Sequence, residues 1–286
     1  MLNKVLSASF LRHSGNWVKW DNKKHFISFG KDNSEQWEGF QLWRAEFDTL
    51  LLNHTLELCV KILQPCQVFK PILNKNKDTV VGVSTSKGKI YSSFVIDATG
   101  NQHWLAKQLN KKIRKFSTLL IASYGYAEEE NFPFYNNIPS ITADKNGWTW
   151  IAKVRSSLYQ WTRLNFSIEN LDKKYIPKEL HGMKKRGFNQ CADVTWRIIS
   201  DPCRPGYFMV GDAAFVIDPS SSHGILKAII SGIMSGYLIN KTNRNKELKN
   251  IAMIEYYIWI TNWFKKDLTK LKEFYLKLPY PPSWLV

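Results

Sequence analysis

The chain has 286 residues, 44% of them hydrophobic, which is enough to bury one large core or two smaller ones. Its formal charge of +16 comes mostly from scattered lysines without a nucleic-acid-binding motif, so we interpret it as solvated surface, with an anionic cofactor or partner as the alternative. No apolar run is long enough for a membrane span, and the four cysteines lack CxxC spacing and fit a reducing cytoplasm better than a disulfide or zinc framework.

The first part of the chain carries alternating signals for strands and helices. Apolar residues at helical spacing predict a helix over 44–63, after a short strand at 39–43. Three further strands are expected at 66–73, 80–85 and 89–96, because turn-forming residues separate these apolar runs. This pattern predicts an α/β domain.

The middle of the chain has a different pattern. Between residues 117 and 167 it is rich in aromatic residues in strand-like runs, and Lys145–Asn146–Gly147 has the composition of a hairpin turn. This segment predicts an antiparallel sheet. Residues 193–199 then return the chain to the α/β part, and apolar spacing predicts a long C-terminal helix over 246–278.

Two apolar strands end in residues that suit a ligand. The first is FVIDATG, which ends at Gly100, and the second is YFMVGDAAFVIDPSSSHG, which places Asp212 at the end of a strand. Ligands of open α/β folds lie at this end of the sheet, where a carboxylate accepts hydrogen bonds from sugar hydroxyls. Pro219 stiffens the serine loop, and a helix is expected to begin near Gly224 and Ile225 with free N–H groups. The segment therefore predicts a site for a ligand with hydroxyls and an electron-poor ring.

These motifs, together with WRAEFD at 43–48, GWTW and VTWRI, resemble the flavoprotein monooxygenase superfamily. That superfamily includes flavin-dependent tryptophan halogenases, aromatic hydroxylases, and compact flavoproteins that modify tryptophan in quinone-cofactor oxidases. The resemblance implies an α/β FAD-binding layer of the glutathione-reductase type with an inserted antiparallel substrate sheet. The implied division is 1–114 and 193–245 for the FAD-binding domain, 115–192 for the substrate domain, and 246–286 for a C-terminal helix.

The resemblance implies an enzyme with FAD as cofactor and a role for each matching residue. Asp212 would bind ribityl or ribose hydroxyls, and Arg44 the phosphate or ribose region. The remaining FAD-binding positions would be Asp97, Gly100, Pro219, Gly224 and Ile225, with Trp148 and Trp150 shaping the substrate pocket. His223 would either bond the flavin or substrate or cap the following helix. No residue is assigned as acid or base.

The implied reaction is a monooxygenation of an aromatic or tryptophan-like substrate, small or peptide-borne, through reduced flavin and dioxygen. Electrons would come from a flavin reductase or NAD(P)H. The alternatives are a flavin-dependent halogenase and a truncated, non-catalytic flavin-fold protein. Two departures bear on this choice. The sequence contains no GxGxxG loop, so we expect the chain to begin inside the family fold. The proline of the halogenase Trp-x-Trp-x-Ile-Pro segment is also absent, since Ala152 and Lys153 follow Trp148-Thr149-Trp150-Ile151.

Overall fold

A computed structural model of the protein describes residues 1–20, 23–33, 35–129, 137–172 and 174–286. In chain order, the α-helices of these residues are α1 (Leu2–Leu6), α2 (Arg44–Glu57), α3 (Trp104–Gln108), α4 (Gly224–Arg244) and α5 (Lys249–Leu276). The strands are β1 (Leu11–His13), β2 (Gly15–Lys19), β3 (His25–Ser28), β4 (Lys31–Asp32), β5 (Glu35–Gln36), β6 (Gly39–Gln41), β7 (Val68–Leu73), β8 (Val80–Thr85), β9 (Gly88–Tyr91), β10 (Val95–Asp97), β11 (Ile113–Lys115), β12 (Ile121–Glu128), β13 (Ser140–Asp144), β14 (Gly147–Lys153), β15 (Leu158–Asn165), β16 (Lys184–Asp193), β17 (Arg197–Ile199), β18 (Cys203–Arg204), β19 (Tyr207–Met209) and β20 (Phe215–Val216). The protein therefore has the α/β composition predicted from its sequence.

The largest sheet of the described residues has seven strands in the order β16-β12-β15-β14-β13-β2-β3. Its neighbouring strands are antiparallel except for β13 and β2, which run parallel. The predicted hairpin turn joins β13 to β14, where Asp144 pairs with Gly147. A Cβ at Gly147 would lie 1.9 Å from the carbonyl oxygen of Leu164, so the close approach of the strands requires glycine. The predicted antiparallel sheet is therefore present, and β2 and β3 extend it from the N-terminal segment.

A smaller sheet positions the two strand-end motifs. β10 and β19 are parallel neighbours, with Val95 opposite Tyr207 and Asp97 opposite Met209, and β18 pairs antiparallel with β19. The chain continues from β10 toward α3 and from β19 toward α4. The carboxyl ends of both strands therefore lie side by side, at the edge where open α/β folds bind their ligands. The domain boundaries at residues 114, 192 and 245 stay predictions.

Helix α5 covers this smaller sheet with a row of buried aromatic and aliphatic side chains. Tyr256 is fully buried, packs edge-on against Phe208 of β19, and donates a 2.7 Å hydrogen bond to the carbonyl oxygen of Met209. Burying an aromatic side chain of this kind stabilises a fold by roughly 1.5–3 kcal/mol. The buried aromatic side chains of α5 thus form a packing surface.

Helix α2 is shorter than its apolar spacing predicts. It was expected over 44–63 but ends at Glu57. Cys59 follows with a φ of 59°, a left-handed conformation that a continuing α-helix does not permit. The apolar side chains of Leu58, Val60 and Leu63, beyond this point, are exposed. Their helical spacing in the sequence therefore did not reflect a buried face.

The described ranges contain neither a candidate membrane span nor a candidate metal site. No helix in them is both long and apolar enough to cross a bilayer. The same ranges contain no cluster of His, Cys, Asp or Glu side chains arranged to hold a metal ion. The cysteines are free thiols, and burial raises the pKa of Cys203 to about 12, so that thiol stays protonated at neutral pH.

Candidate functional site

The candidate site is the β19–α4 junction, which we define as residues 207–231. After β19 the chain makes a tight turn at Gly211, whose φ is 57°. The N–H of Gly211 donates a 2.8 Å hydrogen bond to Oγ of Ser231, and a Cβ at this position would lie 3.3 Å from that of Ala228. Glycine therefore lets the turn pack closely against α4, which fixes the position of the next residue, Asp212.

The carboxylate of Asp212 is partly exposed and has one charged partner. Its side chain is 46% exposed and lies 2.5 Å from Nζ of Lys227, whose side chain is 3% exposed. Nζ of Lys227 also donates a 2.8 Å hydrogen bond to the carbonyl oxygen of Phe215. These two partners satisfy a buried ammonium group that would otherwise be costly. Asp212 is thus held in place on one side and open to solvent on the other.

Lys227 was missed as a functional residue by sequence reasoning. It appeared only as an interruption of the apolar run in α4. A single lysine within an otherwise apolar helical stretch is nevertheless a usable signal, because a buried ammonium group requires a carboxylate or carbonyl partner.

The amino end of α4 is open. Gly224 is its first residue, no side chain caps its N–H groups, and its first turn contains no acidic residue. A Cβ built at Gly224 would meet no atom within 4 Å, so there is free space in front of the helix end. Ile225 follows and is partly buried. The unsatisfied N–H groups and partial positive charge of a helix start attract electron-rich ligand atoms.

The second aspartate of the motif, Asp218, lies in a closed environment. It is fully buried and accepts hydrogen bonds from Nε1 of Trp196 at 2.7 Å, from the hydroxyl of Tyr275 at 3.0 Å, and from N and Oγ of Ser220. The hydroxyl of Tyr275 in turn accepts a 2.8 Å hydrogen bond from Nε1 of Trp148. Burial raises the pKa of Asp218 above that of an exposed carboxyl group. We call these five residues the Asp218 cluster; it fixes the short turn at Pro219 that leads into α4.

The end of β10 reaches the junction through backbone contacts. Asp97 is buried, and its carboxylate accepts 2.9 Å hydrogen bonds from the N–H groups of Thr99 and Leu105. It therefore ties β10 to α3. Gly100 has a φ of 73° and open space in front of it. The predicted role of both residues in FAD binding stays a prediction.

A buried histidine joins this loop to the turn that holds Asp212. Nδ1 of His103 donates to the carbonyl oxygen of Ala213 at 3.1 Å, and Nε of Arg197 donates to Nε2 of His103 at 2.8 Å. Nε2 can accept that bond only when the imidazole is neutral. Burial lowers the pKa of His103, which agrees with the neutral form.

The remaining predicted site residues have different surroundings. Arg44 is 61% exposed at the start of α2 and pairs with Asp48 at 3.0 Å. Trp148 is 1% exposed and belongs to the Asp218 cluster, while Trp150 is partly buried. His223 makes no side-chain cap on α4; its Nδ1 lies 3.0 Å from Oδ2 of Asp267 on α5. The predicted ligand-binding roles of these four residues stay predictions.

Comparison with known proteins identifies the family. The family model described as "Tryptophan halogenase" matches residues 22–238. The chain belongs to the tryptophan halogenase family. One curated member, the flavin-dependent halogenase armH4 of Armillaria mellea, is 27% identical over 54% of this chain and 33% of its own length. The match thus spans about a third of that relative.

Solved structures of flavoenzymes share the fold. The myxobacterial chondrochloren halogenase CndH, described as FAD-dependent, has a TM-score of 0.84 at 18% identity, over 96% of this chain and 69% of its own. The peptidyl tryptophan dihydroxylase QhpG has a TM-score of 0.74 at 16% identity, over 98% of this chain and 64% of its own. The predicted FAD-binding fold of this superfamily is therefore confirmed, and FAD is the cofactor of the family.

The described residues fit the ring end of FAD. The open space at Gly224 and the uncapped start of α4 provide N–H donors, and the partly exposed carboxylate of Asp212, which pairs with Lys227 in the first turn of α4, provides an acceptor in the same junction. The sequence offers no comparable binding element for the pyrophosphate of FAD, because the 286 residues contain no glycine-rich GxGxxG loop. The site residues present thus suit the isoalloxazine and ribityl part of the cofactor.

Proposed function

We propose that the protein binds FAD at the β19–α4 junction and takes part in flavin-dependent halogenation of an aromatic substrate. The observation that carries this proposal is the uncapped start of α4, with the partly exposed Asp212 paired to Lys227 in its first turn, in a chain that belongs to the tryptophan halogenase family. Bound FAD would supply the redox chemistry with dioxygen. The aromatic substrate would be free or peptide-borne, with electrons from a flavin reductase or NAD(P)H.

The protein's own residues would bind and orient the cofactor. N–H groups at Gly224 and Ile225 would stabilise negative charge on the ring, because they lie at the positive end of a 21-residue helix. Asp212 would accept hydrogen bonds from hydroxyl groups. Lys227 would hold that carboxylate in position through its 2.5 Å ion pair. These roles concern binding and orientation, and no residue is assigned a proton transfer.

Hydroxylation is the second candidate, and the missing proline of the Trp-x-Trp-x-Ile-Pro segment favours it. The position of that proline is occupied by Lys153, the last residue of β14, which pairs with Tyr159 of β15. A proline here, as in the halogenase segment that the chain resembles, would remove a backbone donor from the end of the strand. QhpG, which shares the fold, is a peptidyl tryptophan dihydroxylase and belongs to the same kind of chemistry.

The first experiment measures FAD binding by the 286-residue chain. The purified protein is saturated with FAD, desalted, and examined by visible absorbance, and its Kd is measured by flavin fluorescence. We expect retained flavin, and about tenfold weaker binding by Asp212→Asn, which loses a charge-assisted contact. Asp201→Asn is the matched control, because Asp201 pairs instead with Arg204. A colourless wild-type protein would contradict the proposal and support the non-catalytic alternative.

The second experiment identifies the reaction. Chain loaded with chemically reduced FAD is mixed with dioxygen and either free tryptophan or a tryptophan-containing peptide, with and without bromide. Mass spectrometry of a brominated product would support halogenation. An oxygenated product in both halide conditions would support the second candidate and reject the first. Bound flavin without any modified product on either substrate would contradict both.

A further inference from the structure

The outward face of α4 is apolar although it is exposed to solvent. No exposed residue between Leu226 and Tyr237 is charged. Within this stretch Ile230, Ile233 and Tyr237 are exposed and follow one another at spacings of three and four residues, so their side chains form one row along the helix. Surface helices of globular proteins place charged and polar residues on this side, so a continuous apolar row indicates an interaction surface.

Helix α5 extends this apolar surface. Ile251, Ile254 and Ile258 are each more than half exposed and have the same spacing of three and four residues. The two rows adjoin, because Met234 of α4 and Ile258 of α5 line one cavity between the helices. We call the combined surface the α4–α5 face and define it by Ile230, Ile233, Tyr237, Ile251, Ile254 and Ile258.

Basic side chains lie at both ends of the face. Arg244 is about two helical turns beyond the α4 row, and Lys246 follows it in the connection between the helices. Lys265 is about two turns beyond the α5 row. All three are exposed, and none has a carboxylate within ion-pair distance in the parts of the chain that the structure describes.

The acidic residues of this region are fewer, and two of them already have partners. Residues 241–270 contain seven basic residues and three acidic ones. Glu255 pairs with Lys241 at 3.3 Å, and the buried Asp267 lies 3.0 Å from Nδ1 of His223. Glu247 is the third and is exposed. The region therefore carries a net positive charge around its apolar rows.

An anionic lipid surface matches both properties. In the boundary between headgroups and acyl chains, isoleucine side chains leave water without needing polar partners, while arginine and lysine side chains reach the lipid phosphates. Tyr237, which lies between the isoleucines of α4 and Arg244, has the amphipathic side chain that is enriched at this boundary. A second copy of the chain matches less well, because two molecules with a formal charge of +16 repel each other.

We propose that the α4–α5 face binds the surface of an anionic lipid bilayer. Helices α4 and α5 lie in the plane of that surface, the isoleucine side chains of the face enter the boundary between headgroups and acyl chains, and the basic residues at its ends contact lipid phosphates. The contact involves neither Asp212 nor Gly224, so it holds whether or not the chain binds FAD.

The test is co-sedimentation of the 286-residue chain with lipid vesicles. The vesicles contain either phosphatidylcholine alone or phosphatidylcholine with about 30% phosphatidylglycerol, which is anionic. We expect binding to the anionic vesicles to be tighter by about tenfold or more, and this difference to disappear at about 1 M salt, which screens the charges. Equal binding to both kinds of vesicle, or no binding to the anionic vesicles at millimolar lipid, would overturn the proposal.

One variant tests the apolar row. Ile233→Gln is expected to weaken binding to the anionic vesicles about tenfold, because it removes the burial of an isoleucine side chain in the lipid. Leu58→Gln is the matched control, since Leu58 is 65% exposed, Ile233 is 63% exposed, and Leu58 lies outside the face. Equal weakening by the two variants would contradict the proposal. So would a lipid-free dimer of the wild type that Ile233→Gln makes monomeric in sedimentation velocity, since the face would then contact a second copy.

A pair of double variants tests the basic end. Replacing both Arg244 and Lys246 by glutamine is expected to weaken binding to the anionic vesicles about tenfold and to leave binding to phosphatidylcholine unchanged. Replacing both Lys184 and Lys185 by glutamine is the matched control, because it removes the same charge from exposed positions on β16. Equal effects of the two double variants would show that total charge, and not the α4–α5 face, determines the binding, and would reject the proposal.

Discussion

The carboxylate of Asp212 is 46% exposed and meets one ammonium group, whereas that of Asp218 is fully buried and accepts hydrogen bonds from three other residues. Both belong to one continuous motif, GDAAFVIDP. The first part of the motif leaves polar groups open to a ligand, and the second part closes them within the core. The motif thus divides into a first part that is open to solvent and a second part that supports the fold.

The physical basis of this division is desolvation. A buried carboxylate without donors would cost several kcal/mol, so Asp218 keeps its place only because Trp196, Tyr275 and Ser220 all donate to it. A partly exposed carboxylate such as Asp212 needs no such set and stays free to exchange water for ligand hydroxyls. The Asp218 carboxylate is therefore held rigidly because it is buried, and the Asp212 carboxylate is accessible to a ligand because it is partly exposed.

Replacing Asp218 gives the largest expected effect. Asp218→Ala leaves the N–H of Trp196 buried without an acceptor, at about 1–3 kcal/mol, and leaves the O–H of Tyr275 with only the 3.4 Å contact to Oγ of Ser220. We expect the free energy of unfolding to fall by about 3 kcal/mol or more, measured by urea denaturation. Asp212→Ala should lower it by less, about 1–2 kcal/mol, because the buried ammonium group of Lys227 then keeps only the carbonyl oxygen of Phe215 as a partner. Equal losses from the two alanine variants would contradict the division of the motif.

The second prediction concerns pH and His103. Because burial depresses the pKa of His103 below its ordinary value of 6.5, the folded protein favours the neutral imidazole. The contribution of neutral His103 to the free energy of unfolding is therefore fully present above pH 6.5. It is lost as the pH falls through the folded-state pKa of His103. We expect wild type to lose about 1 kcal/mol more than His103→Gln between about pH 7.5 and 5.5, by urea denaturation. His54→Gln, at a more exposed histidine, should follow wild type. If the free energy of unfolding of His103→Gln falls as much as that of wild type, the loss arises from other groups and the prediction is wrong.

Local features of this site were predictable from the sequence. The strands that end at Asp97 and Met209 and the helix start at Gly224 follow from apolar runs that stop at glycine or at small residues. The hairpin at 145–147 follows from its Asn-Gly turn. Each of these signals lies within a few residues of the structure that it specifies.

The contacts that divide the motif were not predictable. Asp218 meets Tyr275 across 57 residues, and His223 meets Asp267 across 44. No local pattern records such pairs, because they depend on where the sheet places α5. The extension of the large sheet by β2 has the same origin, since its partner β13 lies more than a hundred residues later.

Lys227 tests the open half of the motif. Its ammonium group pairs with Asp212 and donates to the carbonyl oxygen of Phe215. Lys227→Met keeps the apolar stem but removes both contacts, while Asp212 can still be hydrated. We expect a loss of about 1 kcal/mol in the free energy of unfolding, close to the value of one hydrogen bond. A loss as large as that of Asp218→Ala would mean that Asp212 depends on its partner as strongly as a buried carboxylate does.

Arg44 gives the smallest expected effect and lies outside both halves of the motif. Its ion pair with Asp48 joins two exposed side chains, 61% and 51%, one helical turn apart, and such a pair contributes about 0.3–0.5 kcal/mol. Arg44 also places a positive charge at the positive end of α2, which offsets that gain. We therefore expect Arg44→Gln to change the free energy of unfolding by less than about 0.5 kcal/mol, measured by urea denaturation beside Arg204→Gln as an exposed control. Because stability is then unchanged, any loss of FAD retention by Arg44→Gln would report a direct contact with the cofactor, and unchanged retention would reject its predicted role at the phosphate.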